Sequence, residues 1–156
     1  MQPFRPKTPR QLRSAAIIVE SEKKLLVPYS TALTQAGFSS EMIPITKRGF
    51  QQMVVHPPKL LVIDMDRPGQ LGEQMLSAIL RRQAFKATTI FLLTSNLYLS
   101  REYTEKVDLV LSKPILLSNL IALASRHTLI KTRLRDRIET ETFDYQTIPS
   151  SCALAH

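Results

Sequence analysis

Polar residues follow several apolar segments of this sequence at points where buried strands would end. Glu20 follows AAIIV, Asp64 follows KLLVI, Thr94 follows TIFLL, and Lys113 follows DLVLS. Carboxylate, hydroxyl and ammonium groups are the types that reactive and metal-binding sites use. The segment LLVIDMDRPG (60–69) adds a second acid, Asp66, and a Pro-Gly pair, so Asp64 could instead cap a turn. A shared site requires a fold that brings the four strand ends together.

Apolar segments of two kinds alternate along the chain. Short runs typical of strands lie at 15–20, 41–45, 59–64, 88–95 and 108–112. Amphipathic runs with helical spacing lie at 22–36, 47–55, 71–83 and 97–106, and a long one begins near 116. Because the strand segments are almost continuously apolar, they favour a parallel sheet covered on both faces. The sequence predicts an α/β fold with a doubly wound five-stranded parallel sheet of the flavodoxin-like kind.

The predicted sheet also predicts where a site would lie. Ligands of doubly wound sheets bind beyond the carboxyl ends of the strands, at the point where the strand order reverses. Glu20, Asp64, Thr94 and Lys113 would all lie at such ends. Polar side chains from four strands can therefore converge on one cleft.

The composition limits the kinds of protein that this chain can be. With 156 residues, of which 44% are hydrophobic and 22% charged, it suits one globular domain. No apolar run approaches the ~18 residues that span a bilayer, and the basic N-terminus lacks the apolar core of a secretory signal. The single cysteine, Cys152, cannot form an intrachain disulfide, which favours a reducing, cytoplasmic setting.

The net charge of +8 is concentrated at the two ends of the chain. Residues 1–14 carry basic side chains and no acid, and residues 126–137 are also strongly basic, whereas the body between them is nearly balanced. Such ends could contact nucleic acid, an acidic partner or an anionic surface. Since no aromatic or groove-reading motif accompanies the charge, we expect solvated ends and not a nucleic-acid-binding protein.

An ordered set of motifs resembles the receiver domain of two-component response regulators over about residues 15–127. The matching residues are Asp64 with Pro68, Gly69 and Gly72 behind it, Thr94 with Ser95, and Lys113 with Pro114. In that family an acceptor aspartate precedes a proline-glycine turn, a threonine or serine followed by a small residue ends the fourth strand, and a Lys-Pro pair ends the fifth. The family's Lys-Pro peptide bond is typically cis.

The resemblance implies a site for phosphoryl transfer. Asp64 would accept a phosphoryl group and bind Mg²⁺, with Lys113 as the counter-charge. Thr94 would hydrogen-bond a phosphoryl oxygen and pull its loop inward. Glu20 and the backbone carbonyl of Asp66 would complete the Mg²⁺ ligands. The implied partners are a histidine kinase or phosphotransfer protein and a downstream protein, and no enzymatic activity is expected beyond gain and loss of the phosphoryl group.

Two positions depart from the family pattern. The family has two adjacent acids after its first strand, but here Glu20 is followed by Ser21, so the carboxylate that normally binds Mg²⁺ directly is missing. Val110 stands where the family has the aromatic residue that takes part in switching. The sequence is therefore identified as an atypical stand-alone receiver. The alternative is a degenerate pseudo-receiver that acts as a phosphorylation-independent interaction module.

A phosphatase is a second alternative. Asp64-Met65-Asp66 fits the Asp-x-Asp motif of haloacid dehalogenase-type phosphatases, which place a nucleophile and a general acid two residues apart. Thr94 and Lys113 resemble later motifs of that family. However, Pro68 stands where that family has Thr or Val, and no acidic pair on a later strand follows the lysine. The receiver is thus the favoured interpretation.

The segment after Lys113 predicts a helix that extends past the body of the domain. Its predicted sheet-facing residues are Leu116, Leu117, Leu120, Ile121, Leu123 and Ala124. The same spacing continues through His127, Ile130, Leu134 and Ile138. It favours a homodimer through this helix, and the alternatives are a different partner or a solvated, frayed helix. We therefore expect a basic extension over 1–14, a receiver-like domain over 15–127, and a helical extension with a flexible tail over 128–156, without an output domain.

Overall fold

Strands and helices alternate along the chain as the apolar pattern predicts. The computed structural model describes residues 15–19, 23–66, 69–127 and 130. The strands are β1 (Ala15–Val19), β2 (Ser39–Met42), β3 (Leu60–Asp64), β4 (Thr89–Thr94) and β5 (Leu109–Ser112). The helices are α1 (Lys23–Gln35), α2 (Lys47–Val55), α3 (Gly69–Arg81), α4 (Leu97–Tyr103) and α5 (117–127), and a 3₁₀ turn spans Gln83–Phe85.

All five strands are parallel and form one sheet in the order β2-β1-β3-β4-β5. The chain first runs outward from β1 to β2 and then crosses back to β3, so the strand order reverses between β1 and β3. The predicted doubly wound, flavodoxin-like sheet is confirmed. The two strands at its centre, β3 and β4, are buried along their whole length, as their uninterrupted apolar sequences require.

The predicted span of the second strand was wrong by two residues at its start and by three at its end. It spans Ser39–Met42 instead of 41–45, because its pairing with β1 aligns Ala15 with Ser39 and Ile18 with Met42. Pro44 has no N–H group to contribute to a ladder. Its carbonyl instead accepts a hydrogen bond from the Thr46 amide at 2.8 Å.

Successive residues of the central strands face opposite sides of the sheet and divide the core in two. One cluster packs α2, α3 and α4 on the sheet and includes Met53, Leu61, Ile63, Leu76, Ile79, Leu92 and Leu99. The other packs α1 and α5 on the opposite face and includes Tyr29, Leu33, Leu60, Val62, Phe91, Leu93, Leu120 and Ala124. Each face of the sheet therefore has its own apolar layer, which holds both central strands rigidly.

A glycine sets the end of helix α1. Gly37 follows α1 with φ +94°, its amide bonds the Thr34 carbonyl, and the Phe38 amide bonds the Leu33 carbonyl. These two bonds form the Schellman arrangement that ends helices at glycine. Pro28 lies inside the first amphipathic run, where a proline is expected to kink a helix or to move its start. Helix α1 begins five residues before Pro28 and continues past it, so the proline does not set the start of the helix.

The prediction for the sheet-facing side of α5 was partly wrong. Leu120 and Ala124 are fully buried, whereas Leu116 and Leu117 are exposed. The helix starts at residue 117, so its buried stripe begins with Leu120, almost one turn later. The predicted extensions over 1–14 and 128–156 lie outside the described residues, apart from residue 130. Within the described ranges, no helix has the length and apolar character needed to cross a bilayer.

Candidate functional site

The register of the sheet brings three of the predicted site residues to one edge. Asp64 is the last residue of β3 and pairs with Leu93, and Thr94 is the last residue of β4 and pairs with Ser112. The pairing continues past the strand ends, since the amide of Lys113 donates to the Thr94 carbonyl at 3.0 Å. Asp64, Thr94 and Lys113 thus leave three adjacent strands at the same level of the sheet.

Asp64 is a buried carboxylate with a lysine as its counter-ion. It is only 3% exposed, and its Oδ2 atom contacts the Nζ atom of Lys113. Its Oδ1 atom accepts a hydrogen bond from the Asp66 amide at 3.0 Å, which turns the chain sharply after β3. Asp64 therefore both caps a turn and faces the ammonium group.

Asp66 is the centre of a second, larger set of contacts. Its Oδ1 atom accepts from the Thr94 hydroxyl at 2.8 Å and from the Ser95 amide at 2.7 Å. Its Oδ2 atom accepts from the Ser95 hydroxyl at 3.0 Å and lies 3.2 Å from Lys113 Nζ. Four donors from the ends of β4 and β5 therefore converge on one carboxylate.

These contacts change the pKa values of both partners. Burial raises the pKa of Asp66, but the hydrogen bonds from the Ser95 amide, the Thr94 hydroxyl, the Ser95 hydroxyl and Lys113 outweigh burial and hold it below its ordinary value. Burial lowers the pKa of Lys113, whereas hydrogen bonding and charge from Asp64 and Asp66 raise it above its ordinary value. Asp66 is thus an anion and Lys113 a cation at neutral pH.

A chain of hydrogen bonds leads from this site to helix α4. The Thr94 hydroxyl, which donates to Asp66, accepts from the Asn96 amide at 3.0 Å. Asn96 is the N-cap of α4, and its Oδ1 atom accepts from the Tyr98 amide at 2.9 Å. The first turn of α4 carries two large exposed apolar side chains, Leu97 and Tyr98. The position of the helix start therefore depends on groups that contact Asp66.

The described acids supply part of the donor set that Mg²⁺ requires. In the part of the chain that the structure describes, Asp64 Oδ2 has no partner except the Lys113 ammonium, and no three acidic, histidine or cysteine side chains form a cluster. Mg²⁺ needs only one or two carboxylates when carbonyl oxygens and waters complete its ligands. Asp64 and the carbonyl of Asp66 fit that need, and Glu20 lies outside the described residues.

The sequence placed Asp64, Thr94 and Lys113 at one edge of the sheet, and the structure brings all three together. Glu20, Ser21 and Pro68 lie outside the described residues. The Lys113-Pro114 peptide bond is cis, as the resemblance implies. Val110 is half-buried and packs against the cluster under α2, α3 and α4.

Sequence reasoning missed the contacts of Ser95 and Asn96 and the bonds that link the Asp66 carboxylate to the ends of β4 and β5. The Asp66 backbone carbonyl was the predicted ligand, yet the carboxylate makes most of the contacts of this residue. One signal was available in the sequence. Ser95 and Asn96 both follow a buried strand, and their side chains can donate or accept hydrogen bonds with the nearby backbone. Ser95 shares its partner Asp66 with Thr94, and Asp66 lies 29 and 28 positions from them in sequence, so no local pattern could identify it.

Comparisons with known proteins agree with this fold. No protein-family model matches the sequence, and no curated protein gives a significant match. The receiver domain of an HD domain-containing protein from Pseudomonas fluorescens is similar in structure, with a TM-score of 0.68 and 18% identity over 84% of this chain and 98% of that one. A receiver-modulated diguanylate cyclase from Pelobacter carbinolicus gives a TM-score of 0.65 and 18% identity over 79% and 98%.

A third solved structure, a chemotaxis response regulator of Vibrio cholerae, gives a TM-score of 0.59 and 19% identity over 79% of this chain and 98% of that one. The three solved structures thus match over almost their whole length, with few identical residues. The chain has the fold of response-regulator receiver domains.

Proposed function

We propose that this protein is a receiver in phosphorelay signalling, in which Asp64 accepts a phosphoryl group and thereby alters protein contacts. The observation that carries the proposal is the position of Lys113, whose ammonium contacts the buried Asp64 carboxylate at the carboxyl end of β3. A nucleophilic carboxylate must meet a donor that is itself negative, so it needs a fixed positive charge beside it.

The proposed reaction is the transfer of one phosphoryl group. The donor is a phosphohistidine of a histidine kinase or phosphotransfer protein. An oxygen of Asp64 forms a bond to phosphorus while the phosphorus–nitrogen bond breaks. The electron pair of the broken bond stays on the imidazole nitrogen, which takes up a proton from water. Lys113 offsets the charge that the phosphoryl oxygens carry to the buried site, and the Thr94 hydroxyl is the hydrogen-bond donor for one of them. The product is an acyl phosphate on Asp64.

Mg²⁺ is the cofactor that the residues of this site would hold. Its ligands would be the carboxylates of Asp64 and Glu20 and the backbone carbonyl of Asp66, and bound Mg²⁺ would neutralise charge on the phosphoryl oxygens. Because Ser21 replaces an acid, the site would have one carboxylate fewer than the usual receiver pattern. We expect weaker Mg²⁺ binding than in receivers that keep both acids.

The proposed output is a change at the start of α4 that a downstream protein recognises. Thr94 bonds the amide of Asn96, which caps α4, so a movement of Thr94 toward a phosphoryl oxygen would also move the exposed Leu97 and Tyr98. This route needs no aromatic ring at Val110. The predicted homodimer through the C-terminal helix remains a separate proposal.

A specific observation also favours the pseudo-receiver alternative. The donors that a phosphoryl group would need, on Thr94, Ser95 and Lys113, are already bound to the Asp66 carboxylate. The phosphatase alternative has less support, because a general acid needs a raised pKa and that of Asp66 is lowered.

The decisive experiment is to weigh the intact protein after incubation with Mg²⁺ and acetyl phosphate or phosphoramidate. We expect an adduct with the mass of one phosphoryl group in the wild type and none in Asp64→Asn. Asp108→Asn is the matched control, because Asp108 accepts a hydrogen bond from the Ile90 amide at the opposite end of the sheet. It should form the adduct like the wild type. No adduct with several donors and divalent metals would refute the proposal and favour the pseudo-receiver.

A further inference from the structure

The carboxylate of Asp66 lies where the proposed function needs a different anion. A phosphoryl group on Asp64 would need hydrogen-bond donors from the end of β4 and the ammonium group at the end of β5. Those groups are the Thr94 hydroxyl, the Ser95 amide and Lys113 Nζ, and all three lie within 3.2 Å of a carboxylate oxygen of Asp66. Lys113 also contacts Asp64, so the two carboxylates flank the same ammonium.

The chemistry of the two anions is similar enough for one to replace the other. Ionised carboxylates and phosphoryl groups both accept short, charge-assisted hydrogen bonds from amides, hydroxyls and ammonium groups. Asp66 uses both of its oxygens in this way, and Ser95 contributes two donors, its amide at 2.7 Å and its hydroxyl at 3.0 Å. The carboxylate thus makes contacts with the β4–α4 loop that a phosphoryl group would make.

We propose that Asp66 is an internal anion that fills the phosphoryl position and holds the β4–α4 loop drawn in before any phosphorylation. This inference rests on the proposed function, because it takes Asp64 as the acceptor. Two consequences follow. The loop and the start of α4 are already held by an anion in the unmodified protein, so phosphorylation should shift them less than in a receiver without this anion, and the Asp66 side chain must leave its four donors before Asp64 can be phosphorylated. Asp66 therefore sets the resting output and slows the transfer.

The hydrogen-bond chain explains how this effect reaches the surface. Asp66 bonds the Thr94 hydroxyl, Thr94 bonds the Asn96 amide, and Asn96 caps the helix that carries the exposed Tyr98. Loss of the Asp66 carboxylate releases the first member of that chain. The start of α4 should then loosen, and a phosphoryl group on Asp64 should restore it.

The test compares Asp66→Ala and Asp66→Asn with the wild type. Asp108→Asn serves as the matched control, because Asp108, like Asp66, has a carboxylate that accepts a hydrogen bond from a backbone amide. The first readout is the amide spectrum by nuclear magnetic resonance, without any phosphodonor. In both Asp66 variants, the signals of Ser95, Asn96 and Tyr98 should move, whereas in Asp108→Asn they should stay in place. The asparagine variant keeps the size of the side chain, so a folding defect caused by lost volume would appear only in the alanine variant.

The second readout is the initial rate of adduct formation with acetyl phosphate and Mg²⁺. Asp66→Ala should react about tenfold faster than the wild type, because no charge-assisted hydrogen bonds must break first. Phosphorylated Asp66→Ala should then show wild-type-like signals for Ser95 and Tyr98.

The outcomes separate this inference from the proposed function. If the Ser95 and Tyr98 amides do not move in Asp66→Ala, the inference is wrong, even when the rate rises through charge alone. If wild type and Asp66→Ala form the adduct equally fast, the inference is also wrong while the proposed function stands. If the amides move but neither protein forms an adduct, the proposed function is wrong, and the resting hold of Asp66 on the loop is supported.

Discussion

The hydroxyl of Thr94 donates a hydrogen bond of 2.8 Å to Asp66 Oδ1, across 28 positions of sequence. Thr94 is 1% exposed whereas Asp66 is exposed, so this bond lies at the border between the core and the surface. The contact joins the turn after β3 to the end of β4. It makes the site one connected network in which the proposed acceptor, its counter-ion and the start of α4 share partners.

Replacement of Thr94 by valine should weaken the fold without a change in side-chain shape. Thr94→Val leaves the Asn96 amide without its acceptor and removes one donor to Asp66, and we expect a loss of about 1–2 kcal/mol of unfolding free energy. Urea unfolding measures this loss of unfolding free energy. Thr89→Val is the matched control, because the Thr89 hydroxyl lies buried on the same strand with no hydrogen-bond partner among the described residues. That control should be neutral or stabilising.

Replacement of Lys113 by methionine should cost both stability and phosphoryl transfer. Lys113→Met leaves the buried Asp64 carboxylate without its counter-ion, so the unfolding free energy should fall by about 3 kcal/mol. The adduct should also disappear in the mass measurement. Lys106→Met removes an exposed ion pair with Glu102 and should change stability by less than about 0.5 kcal/mol. Equal effects of the two substitutions on stability would contradict the assigned ion pair.

Gly49 should not tolerate a side chain. A Cβ atom there would lie 2.4 Å from the Pro44 carbonyl oxygen and 2.5 Å from Ile43 Cγ2, so the backbone would have to shift. We expect Gly49→Ala to lower the midpoint of thermal unfolding clearly, with a cost of roughly 3 kcal/mol. Gly37→Ala meets no atom within 4 Å and should cost only about 1–2 kcal/mol through its positive φ. A milder effect at Gly49 than at Gly37 would argue against this packing.

Restoration of the missing acid should strengthen Mg²⁺ binding. Ser21→Asp supplies the second carboxylate of the receiver pattern, so adduct formation should reach half of its maximum at a lower Mg²⁺ concentration. Chelation of Mg²⁺ should abolish the adduct in both proteins. Ser39→Asp, at the exposed first residue of the edge strand β2 and away from the carboxyl ends of the strands, is a control for added charge. If it shifts the Mg²⁺ dependence as much as Ser21→Asp does, the direct ligand role is refuted.

Much of the fold follows from short-range patterns in the sequence. The bounds of α2 agree with the predicted 47–55, and those of β3 and β4 lie within one residue of the predictions, because continuous apolar runs and clear end signals mark them. The predictions for the start of the buried stripe in α5 and for the span of β2 were wrong. Both depend on which neighbouring strand or layer the segment meets, and no residue within the segment encodes that partner.

The sequence alone determined which side chains stand at the ends of the strands. Asp64, Thr94 and Lys113 each follow an apolar run, and in doubly wound parallel sheets the groups that bind ligands lie at the carboxyl ends of the strands. Only the tertiary structure decided what Asp66 does. Its carboxylate meets Thr94, Ser95 and Lys113 because the register of three strands sets their relative heights. Hydrogen bonds act over about 3 Å, so partners that are distant in sequence can be identified only when the sheet has aligned them.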